Sequence, residues 1–254
     1  MIHPAVASFE HHLRTYRRTW KGTVFSAFVL PVLFLVAMGR SVGGYVDTRA
    51  GLGVPYLDYV APGILASTTV QIGIFEGTFV VFSAFHWGRT YHAMRASALR
   101  PGDILVGHLA FALLRVTMSA VGFVLVMVAV GVLHSPTGLL ALPASIVVGV
   151  ALTPFVFAYS AVITSDGMFA VLFRFVLVPM SLFAGVFFPV SAMPLAARVL
   201  AYGSPLWHGV ELCRAATLGT ASAWGAPAHL GYLLLWIVAG TLTARHVFAK
   251  KLTD

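Results

Sequence analysis

The chain has 254 residues, of which 59% are hydrophobic and only 9% are charged. Soluble domains carry about a quarter charged residues, so the composition excludes a soluble globular enzyme. The 19 Phe, 5 Trp and 8 Tyr residues require burial and exclude intrinsic disorder. A polytopic membrane protein remains, with room for about five to seven spans of about 20 residues each. In such a protein, the net charge of +8 indicates loops near anionic lipid and not a nucleic acid partner.

Residues 2–20 are predicted to form an amphipathic helix that lies in the membrane interface. Their apolar residues recur at helical spacing, with basic residues mostly off that face. An ordinary basic N-terminal tail is the alternative that the pattern leaves open. The apolar face consists of Ile2, Val6, Phe9, Leu13, Tyr16 and Trp20.

Six apolar segments then predict an all-α polytopic membrane protein with six transmembrane helices, forming a single domain over residues 1–254. Residues 191–224, between the fifth and sixth segments, are more polar and contain two short helical patterns, 195–201 and 207–218, which are too short to span. The predicted spans are 22–39, 59–85, 104–133, 139–164, 167–190 and 225–244.

The distribution of Lys and Arg predicts that both termini are cytoplasmic, because cytoplasmic loops carry the excess of these residues. With the N-terminus inside, ten basic residues fall in cytoplasmic segments and four in outer ones. The ten are Arg14, Arg17, Arg18, Lys21, Arg89, Arg95, Arg100, Arg245, Lys250 and Lys251, and the four are Arg40, Arg49, Arg198 and Arg214.

Two opposite charges, Glu76 and Arg115, are predicted to lie near the bilayer centre at similar depths on the second and third spans. A lone charge there costs at least about 2.5 kcal/mol, which a pair facing the bundle interior reduces. The pair is either a gate or polar patch on a substrate pathway, or a structural ion pair between two helices. Arg174 lies closer to the end of its span, and its long side chain is expected to extend toward water.

The loop at residues 86–103 predicts a short amphipathic cytoplasmic helix that ends at Pro101 and Gly102. The pattern fits a docking surface and an interfacial helix equally well. The residues predicted to matter for docking are Trp87, Tyr91, Met94, Arg95 and Arg100, with Tyr91, Met94 and Arg95 at the centre.

The sequence contains no phosphate-binding loop, so this chain does not bind ATP by that motif. Its one cysteine, Cys213, excludes a disulfide framework, and the ten His residues form no metal-ligand spacing. We expect no cofactor in this chain. An intramembrane enzyme stays open as a hypothesis, although few acidic residues are suitably placed for catalysis.

Five stretches of the sequence carry a family resemblance. They are Tyr56–Gly63; Phe75–Thr78; residues 86–107, which include Met94 and Arg100–Asp103; Phe187–Val190 with Met193–Pro194; and Ser204–Arg214 with Leu218–Gly219. In this order they resemble the permease subunit of ABC type-2 exporters. The similarity extends from about residue 20 to the end of the chain and is greatest to nodulation-factor (lipo-oligosaccharide) export permeases and their drug-export relatives. Trp207 and Glu211 depart from the pattern, which has a smaller or polar residue and Asp there.

The resemblance implies a bacterial inner-membrane subunit that exports an amphiphilic substrate, either a lipid-linked glycan or glycolipid, or a hydrophobic drug. Residues 2–20 would be the elbow helix, and 86–103 the coupling helix on a separate P-loop ATPase, present in two copies, that binds ATP and Mg. A second permease chain, identical or related, would complete the pathway. Residues 191–224 would be re-entrant from the outside, with Pro189, Pro205, Trp207, Glu211 and Arg214 as the residues of interest.

Overall fold

The computed structural model describes residues 4–37, 53–97 and 99–253, and this part of the chain is helical with no strand. We number ten helical segments, several of which contain short 3-10 or π turns. They are α1 (Pro4–Tyr16), α2 (Trp20–Ala37), α3 (Tyr56–His86), α4 (Thr90–Ala96), α5 (Pro101–Val130), α6 (Pro136–Val162), α7 (Asp166–Phe183), α8 (Leu195–Gly203), α9 (Pro205–Leu218) and α10 (Ala226–Thr253).

Five of these helices, α3, α5, α6, α7 and α10, are long and apolar enough to cross a membrane. They coincide with the predicted second to sixth spans, so the all-helical membrane fold is confirmed. The first predicted span falls on α2, an 18-residue helix that is not among the five. Residues 38 and 39 of that span, and residues 2 and 3 of the predicted elbow, lie outside the described residues. The six-span count therefore stays a proposal.

Several predicted boundaries were wrong. The fifth predicted span, 167–190, stops being helical at Phe183, and Gly185 turns the chain with φ of 77°. The last helix continues nine residues beyond residue 244, because a helix can extend through a basic segment into water. The helix within 86–103 covers only Thr90–Ala96.

Helix α1 runs alongside the first half of α5 instead of across it. Ser8 Oγ donates to the Ile104 carbonyl (3.1 Å), and the His12 ring stacks on His108 with centroids 3.8 Å apart. The face turned to α5 is made of Ala5, Ser8 and His12, whereas Val6 of the predicted apolar stripe stays exposed. The predicted location of this helix in the interface remains a proposal.

The central helix is α3, which packs against α5, α6 and α9. Its contact with α6 is close, since a Cβ added to Gly73 would collide with the Gly149 carbonyl oxygen. Small residues let helix backbones approach in this way inside a membrane. Helix α7 lies at the other extreme: most of its residues are exposed, and only Phe169, Leu177 and Met180 are buried.

The first and last described helices, α1 and α10, both reach one face of the bundle, which we call the termini face. There, Phe248 near the C-terminus packs against Phe85 and Tyr91, while α1 is fixed to Ile104. Helices α8 and α9 lie toward the other face, where α9 packs on the first half of α6. An even number of membrane crossings between α1 and the end of α10 would bring both to the same face.

Candidate functional site

The structure brings Glu76 and Arg115 together in the middle of the bundle. Arg115 is the fifteenth of the thirty residues of α5, and its Nε donates to Glu76 Oε1 at 2.8 Å. Both side chains are almost buried, at 13% and 11% exposure. The carboxylate therefore compensates the Arg115 charge where the surrounding protein leaves it little access to solvent.

Glu76 begins a π-helical turn, Glu76–Val80, within α3. The Ser160 hydroxyl of α6 donates to the Gly77 carbonyl at 2.7 Å, which provides a partner for that buried backbone oxygen. Such turns occur frequently at functional sites. Here the turn fixes the register of α3 at the residue that holds Arg115.

The Arg115 guanidinium can make further contacts besides its ion pair with Glu76. It lies over the Tyr16 ring, 4.7 Å from the ring centroid, so it also links α1 to α5. Its Nη1 atom is buried with no hydrogen-bond partner, as is Tyr16 Oη. An unpaired guanidinium N–H in a buried position can still donate to an acceptor on a ligand.

A cavity of about 510 Å³ opens beside Arg115 between α2, α3, α5 and the 181–187 segment. Its lining is mainly apolar, with several polar side chains of α3 and α5 among the lining residues beside Arg115. The polar lining includes Ser67, Thr68, Gln71, Arg115, Thr117 and Ser119, and the apolar lining includes Phe34, Ile64, Phe123, Val186 and Phe187. This volume lies within the range of small-molecule sites.

The sequence analysis identified Arg115 but missed the other polar residues of this cavity. Ser67 and Gln71 are one helical turn apart, and Gln71 Nε2 donates to Ser67 Oγ at 3.2 Å. Polar residues at this spacing inside an apolar span would have indicated the face of α3 that meets the cavity.

Within the 86–103 loop, the structure separates Tyr91 from the other predicted docking residues. Tyr91 is fully buried and its hydroxyl hydrogen-bonds to His108 Nδ1, so its predicted contact with a partner needs correction. Trp87 and Arg95 are exposed and Met94 is half-buried. Arg100 is also exposed, and its backbone N–H donates to the Asp103 carboxylate at 3.1 Å, capping α5.

His12 and His108 are further buried residues that the sequence analysis did not identify. Burial, and then the neighbouring His11, lower the pKa of His12 from 6.5 to about 4, so the ring is neutral at pH 7. Tyr91 of α4 hydrogen-bonds to His108 of α5, and the His108 ring stacks on His12 of α1. These contacts connect α4 to the bundle.

In the 191–224 region, Arg214 is tightly held. Its Nη2 donates to the Gly185 carbonyl at 2.8 Å, Nη1 lies 3.4 Å from Glu211 Oε1, and its guanidinium is 3.9 Å from the centroid of the Tyr59 ring. Arg214 thus joins α9 to α3 and to the turn after α7. Pro189 precedes the 3-10 turn Val190–Ala192, and Pro205 begins α9.

Trp207 is buried in an aromatic cluster. The cluster also contains His208, a residue that was not predicted from the sequence. His208 Nε2 donates to the Tyr202 carbonyl (3.1 Å), because a carbonyl oxygen can only accept. Neutral His208 therefore accepts at Nδ1 from His229 (2.9 Å). The other rings in the cluster are Tyr202, Trp224 and Tyr232.

The family model of the ABC-2 type transporter matches residues 6–218, and the chain belongs to this family. It is 27% identical over 250 residues to "Nodulation protein J" of Rhizobium leguminosarum bv. viciae, covering 97% of this chain and 94% of the relative. The protein of the same name from Sinorhizobium fredii is 27% identical over 238 residues, covering 92% and 88%. That from Rhizobium meliloti is 23% identical over 250 residues, covering 97% and 93%.

These similarities confirm the resemblance to ABC type-2 permeases of the nodulation type. The chain is a multi-pass membrane permease of an ABC exporter and a transport subunit, not an enzyme. The hypothesis of an intramembrane enzyme was therefore wrong.

Proposed function

We propose that this chain is the membrane subunit of an ATP-driven exporter for an amphiphile with a polar head and an acyl chain, such as a lipid-linked glycan or glycolipid. The observation that carries the proposal is the cavity beside Arg115, which combines polar and apolar walls. Its polar part lies at the level of the Glu76–Arg115 pair, where the bilayer itself cannot solvate a polar head. The pair would then position the guanidinium at a substrate pathway in addition to joining two helices.

The energy for transport would come from a separate P-loop ATPase in two copies, with ATP and Mg bound there and no cofactor in this chain. The exposed Trp87 and Arg95 and the half-buried Met94 support docking of the ATPase on the 86–103 loop. A second permease, identical or related, would complete the pathway. The ten basic residues of the predicted cytoplasmic segments support an inner-membrane location with both termini inside.

Six spans would follow if α2 crosses the membrane together with the five candidate helices. The re-entrant proposal for 191–224 is supported by the packing of α9 on α6. Cys213 lies near Ala141 at the start of α6, while Gly209 lies against Val148 further along that helix. The N-terminal part of α9 would therefore be deeper in the membrane than its C-terminal part.

Binding of a fluorescent acylated oligosaccharide to the purified full-length permease tests the cavity. We expect Arg115→Gln and Gln71→Leu each to weaken binding by about tenfold, which corresponds to the loss of one hydrogen bond to a charged or polar group. Arg174→Gln is the matched control, because Arg174 also lies in a span but is exposed and outside the cavity. Unchanged binding in both cavity variants would contradict the proposal.

The alternative substrate is a hydrophobic drug, which the apolar part of the cavity favours. A drug without an acceptor group gains nothing from Arg115. In that case a hydrophobic dye would bind equally well to the native chain and to Arg115→Gln, while the acylated oligosaccharide would not bind to either.

A further inference from the structure

A second cavity, of about 300 Å³, lies on the termini face and is distinct from the cavity beside Arg115. Four segments surround it: the end of α3, the start of α4 with its preceding turn, the end of α6, and the last turns of α10. Its lining is rich in basic side chains and consists of Phe85, His86, Arg89, His92, Ala161 and Lys251.

The basic side chains of this cavity have no carboxylate partner among the described residues. None of the ion pairs in the described part of the chain includes Arg89 or Lys251. Asp103 accepts instead from the Arg100 backbone, and Glu10 pairs with Arg14. Arg89 and Lys251 place two positive charges around one concavity without a counter-charge, and an anion would relieve their mutual repulsion.

The backbone of Arg89 is itself unusual. Its φ of 46° is the only positive φ of a non-glycine residue in the described part of the chain. The turn before it is closed by two hydrogen bonds, from the N–H groups of Trp87 and Gly88 to the Ser83 carbonyl. Left-handed conformations are unfavourable for side chains with a Cβ and persist where a site requires them. This conformation places Arg89 at the edge of the cavity.

The surroundings of the cavity are typical of the level where a membrane meets water. Trp87, next to it in sequence, is 60% exposed, and Trp residues concentrate at the headgroup level of bilayers. The span α3 ends at His86, and Lys251 is in the last turn of α10. A phosphate in the headgroup layer can therefore reach these side chains while its acyl chains stay in the bilayer.

We propose that His86, Arg89, His92 and Lys251 form a binding site for the phosphate of an anionic phospholipid, with Arg89 as the main donor. A guanidinium can hold two phosphate oxygens at once, and an ammonium adds a point charge. The site would fix one lipid between the loop helix α4 and the end of α10. This proposal is independent of the transported substrate.

Native mass spectrometry of the full-length permease can test the site by measuring how much phosphatidylglycerol is retained relative to phosphatidylcholine. We expect Arg89→Gln and Lys251→Gln each to reduce the preference for phosphatidylglycerol by about fivefold, the factor that about 1 kcal/mol per basic residue corresponds to. Arg95→Gln is the matched control, because Arg95 is exposed on α4 but does not line the cavity. Its preference should stay within about twofold of the native value.

Arg89→Gly separates binding from folding, since glycine adopts positive φ without strain. This variant should lose the lipid preference as Arg89→Gln does, with a melting temperature in lipid-free detergent no lower than that of the native chain. Equal losses in Arg95→Gln and Arg89→Gln would indicate a diffuse basic surface and overturn the proposal. Millimolar inorganic phosphate that stabilises the permease as well as phosphatidylglycerol does would overturn the assignment to a lipid.

Discussion

At the scale of single residues, the Glu76–Arg115 ion pair joins two helices through opposite charges that are almost buried. The two charges are 2.8 Å apart, and their side chains are almost buried among helices that meet in the middle of the bundle. Desolvation makes such a pair a weak source of net stability, but removing one partner leaves an uncompensated charge. The pair therefore restricts which single substitutions the bundle tolerates.

We predict strong coupling between Glu76 and Arg115. Glu76→Gln and Arg115→Gln should each destabilise the permease by about 3–5 kcal/mol, and the double variant should cost less than the sum. Denaturation of the purified protein in detergent measures the three values. Arg174→Gln, an exposed charge in a span, should change little. Strictly additive effects of the two substitutions would show that the pair has no energetic significance.

The buried His208 predicts a dependence of stability on pH. Burial, opposed by the bond to the Tyr202 carbonyl and aided by His229, lowers the pKa of His208 from 6.5 to about 4. Between these values the unfolded chain binds more protons than the folded one, so stability falls as the pH decreases from about 6.5 to 4. The loss from this residue amounts to about 3 kcal/mol at most.

His208→Gln should flatten the part of the stability curve between pH 6.5 and 4 that this residue produces. The stability of the native chain and the variant can be measured side by side over this range in detergent. His12, whose pKa is also lowered to about 4, retains its contribution in both proteins, so the difference between the two curves isolates His208. Parallel curves would contradict the assignment.

The sequence predicted the central ion pair because both residues are charges isolated in apolar spans at similar depths. It could not predict the His12–His108 stack or the His208–His229 bond. Each contact joins residues on two different helices. The spacing of polar residues along one helix does not show which residue of another helix they will meet. Tyr91 was misplaced for a related reason: an amphipathic pattern identifies two faces but not which one meets the bundle.

At the scale of the elements, the close packing of α3 and α6 depends on absent side chains. Gly73 of α3 lies against the Gly149 carbonyl, and Gly149 in turn lies against Val116 of α5 and Thr69 of α3. Thr153 Oγ1 donates to the Gly149 carbonyl at 3.1 Å. Because backbone atoms of both helices meet at this contact, neither helix can shift easily to make room for an added side chain.

Gly73→Ala should therefore destabilise the permease by about 1–3 kcal/mol, because the added methyl group meets backbone that cannot move independently. Gly231→Ala is the control: Gly231 is in the last helix and a Cβ there would meet nothing within 4 Å. Thermal unfolding in detergent should show the loss only for Gly73→Ala. Equal behaviour of the two variants would contradict the close approach of α3 and α6.

The loop helix α4 connects a surface to the core. Met94 is half-buried and Arg95 is exposed, while Tyr91 in the same helix is held by His108 and by Phe85 and Phe248. A force applied to the exposed side of α4 would be transmitted to α5 and α10 through these contacts. This is the mechanical element that the proposed ATPase coupling requires.

We predict that Met94→Asp releases the ATPase subunit without unfolding the permease. An aspartate carboxylate in the middle of an apolar contact would be poorly solvated. The cores of protein interfaces are depleted of acidic residues for this reason. Co-purification of the ATPase and the melting temperature of the permease are the two readouts. Ala221→Asp, on an exposed position of the predicted outer region, is the control. Continued co-purification after Met94→Asp would assign α4 to the membrane interface instead.

The extents of the elements were predictable from the sequence to different degrees. Long apolar runs identified α3, α5, α6, α7 and α10, since hydropathy depends only on composition. The end of α7 was missed because residues 184–190 are as apolar as the helix before them, and the turn at Gly185 depends on its contact with Arg214. The path of α1 along α5 likewise depends on small residues, Ala5 and Gly107, that a hydropathy pattern does not distinguish.

At the scale of the whole molecule, the two faces of the bundle have different chemistry. The termini face carries the loop helix, the basic cavity and both chain ends. The other face holds α8 and α9, the aromatic cluster around Trp207 and the anchored Arg214. Between them, the cavity beside Arg115 offers both polar and apolar side chains. This arrangement fits a permease that receives force on one face and passes an amphiphile toward the other.

The most direct test is ATP-dependent accumulation of a fluorescent acylated oligosaccharide in inside-out membrane vesicles that contain the permease and its ATPase. We expect accumulation that requires ATP, falls by about tenfold in Arg115→Gln, and is unchanged in Arg174→Gln. Co-purification of the ATPase with both variants ensures that a loss is not a failure of assembly. Accumulation without ATP, or an Arg115→Gln permease that transports as well as the native chain, would contradict ATP-driven export through the cavity beside Arg115.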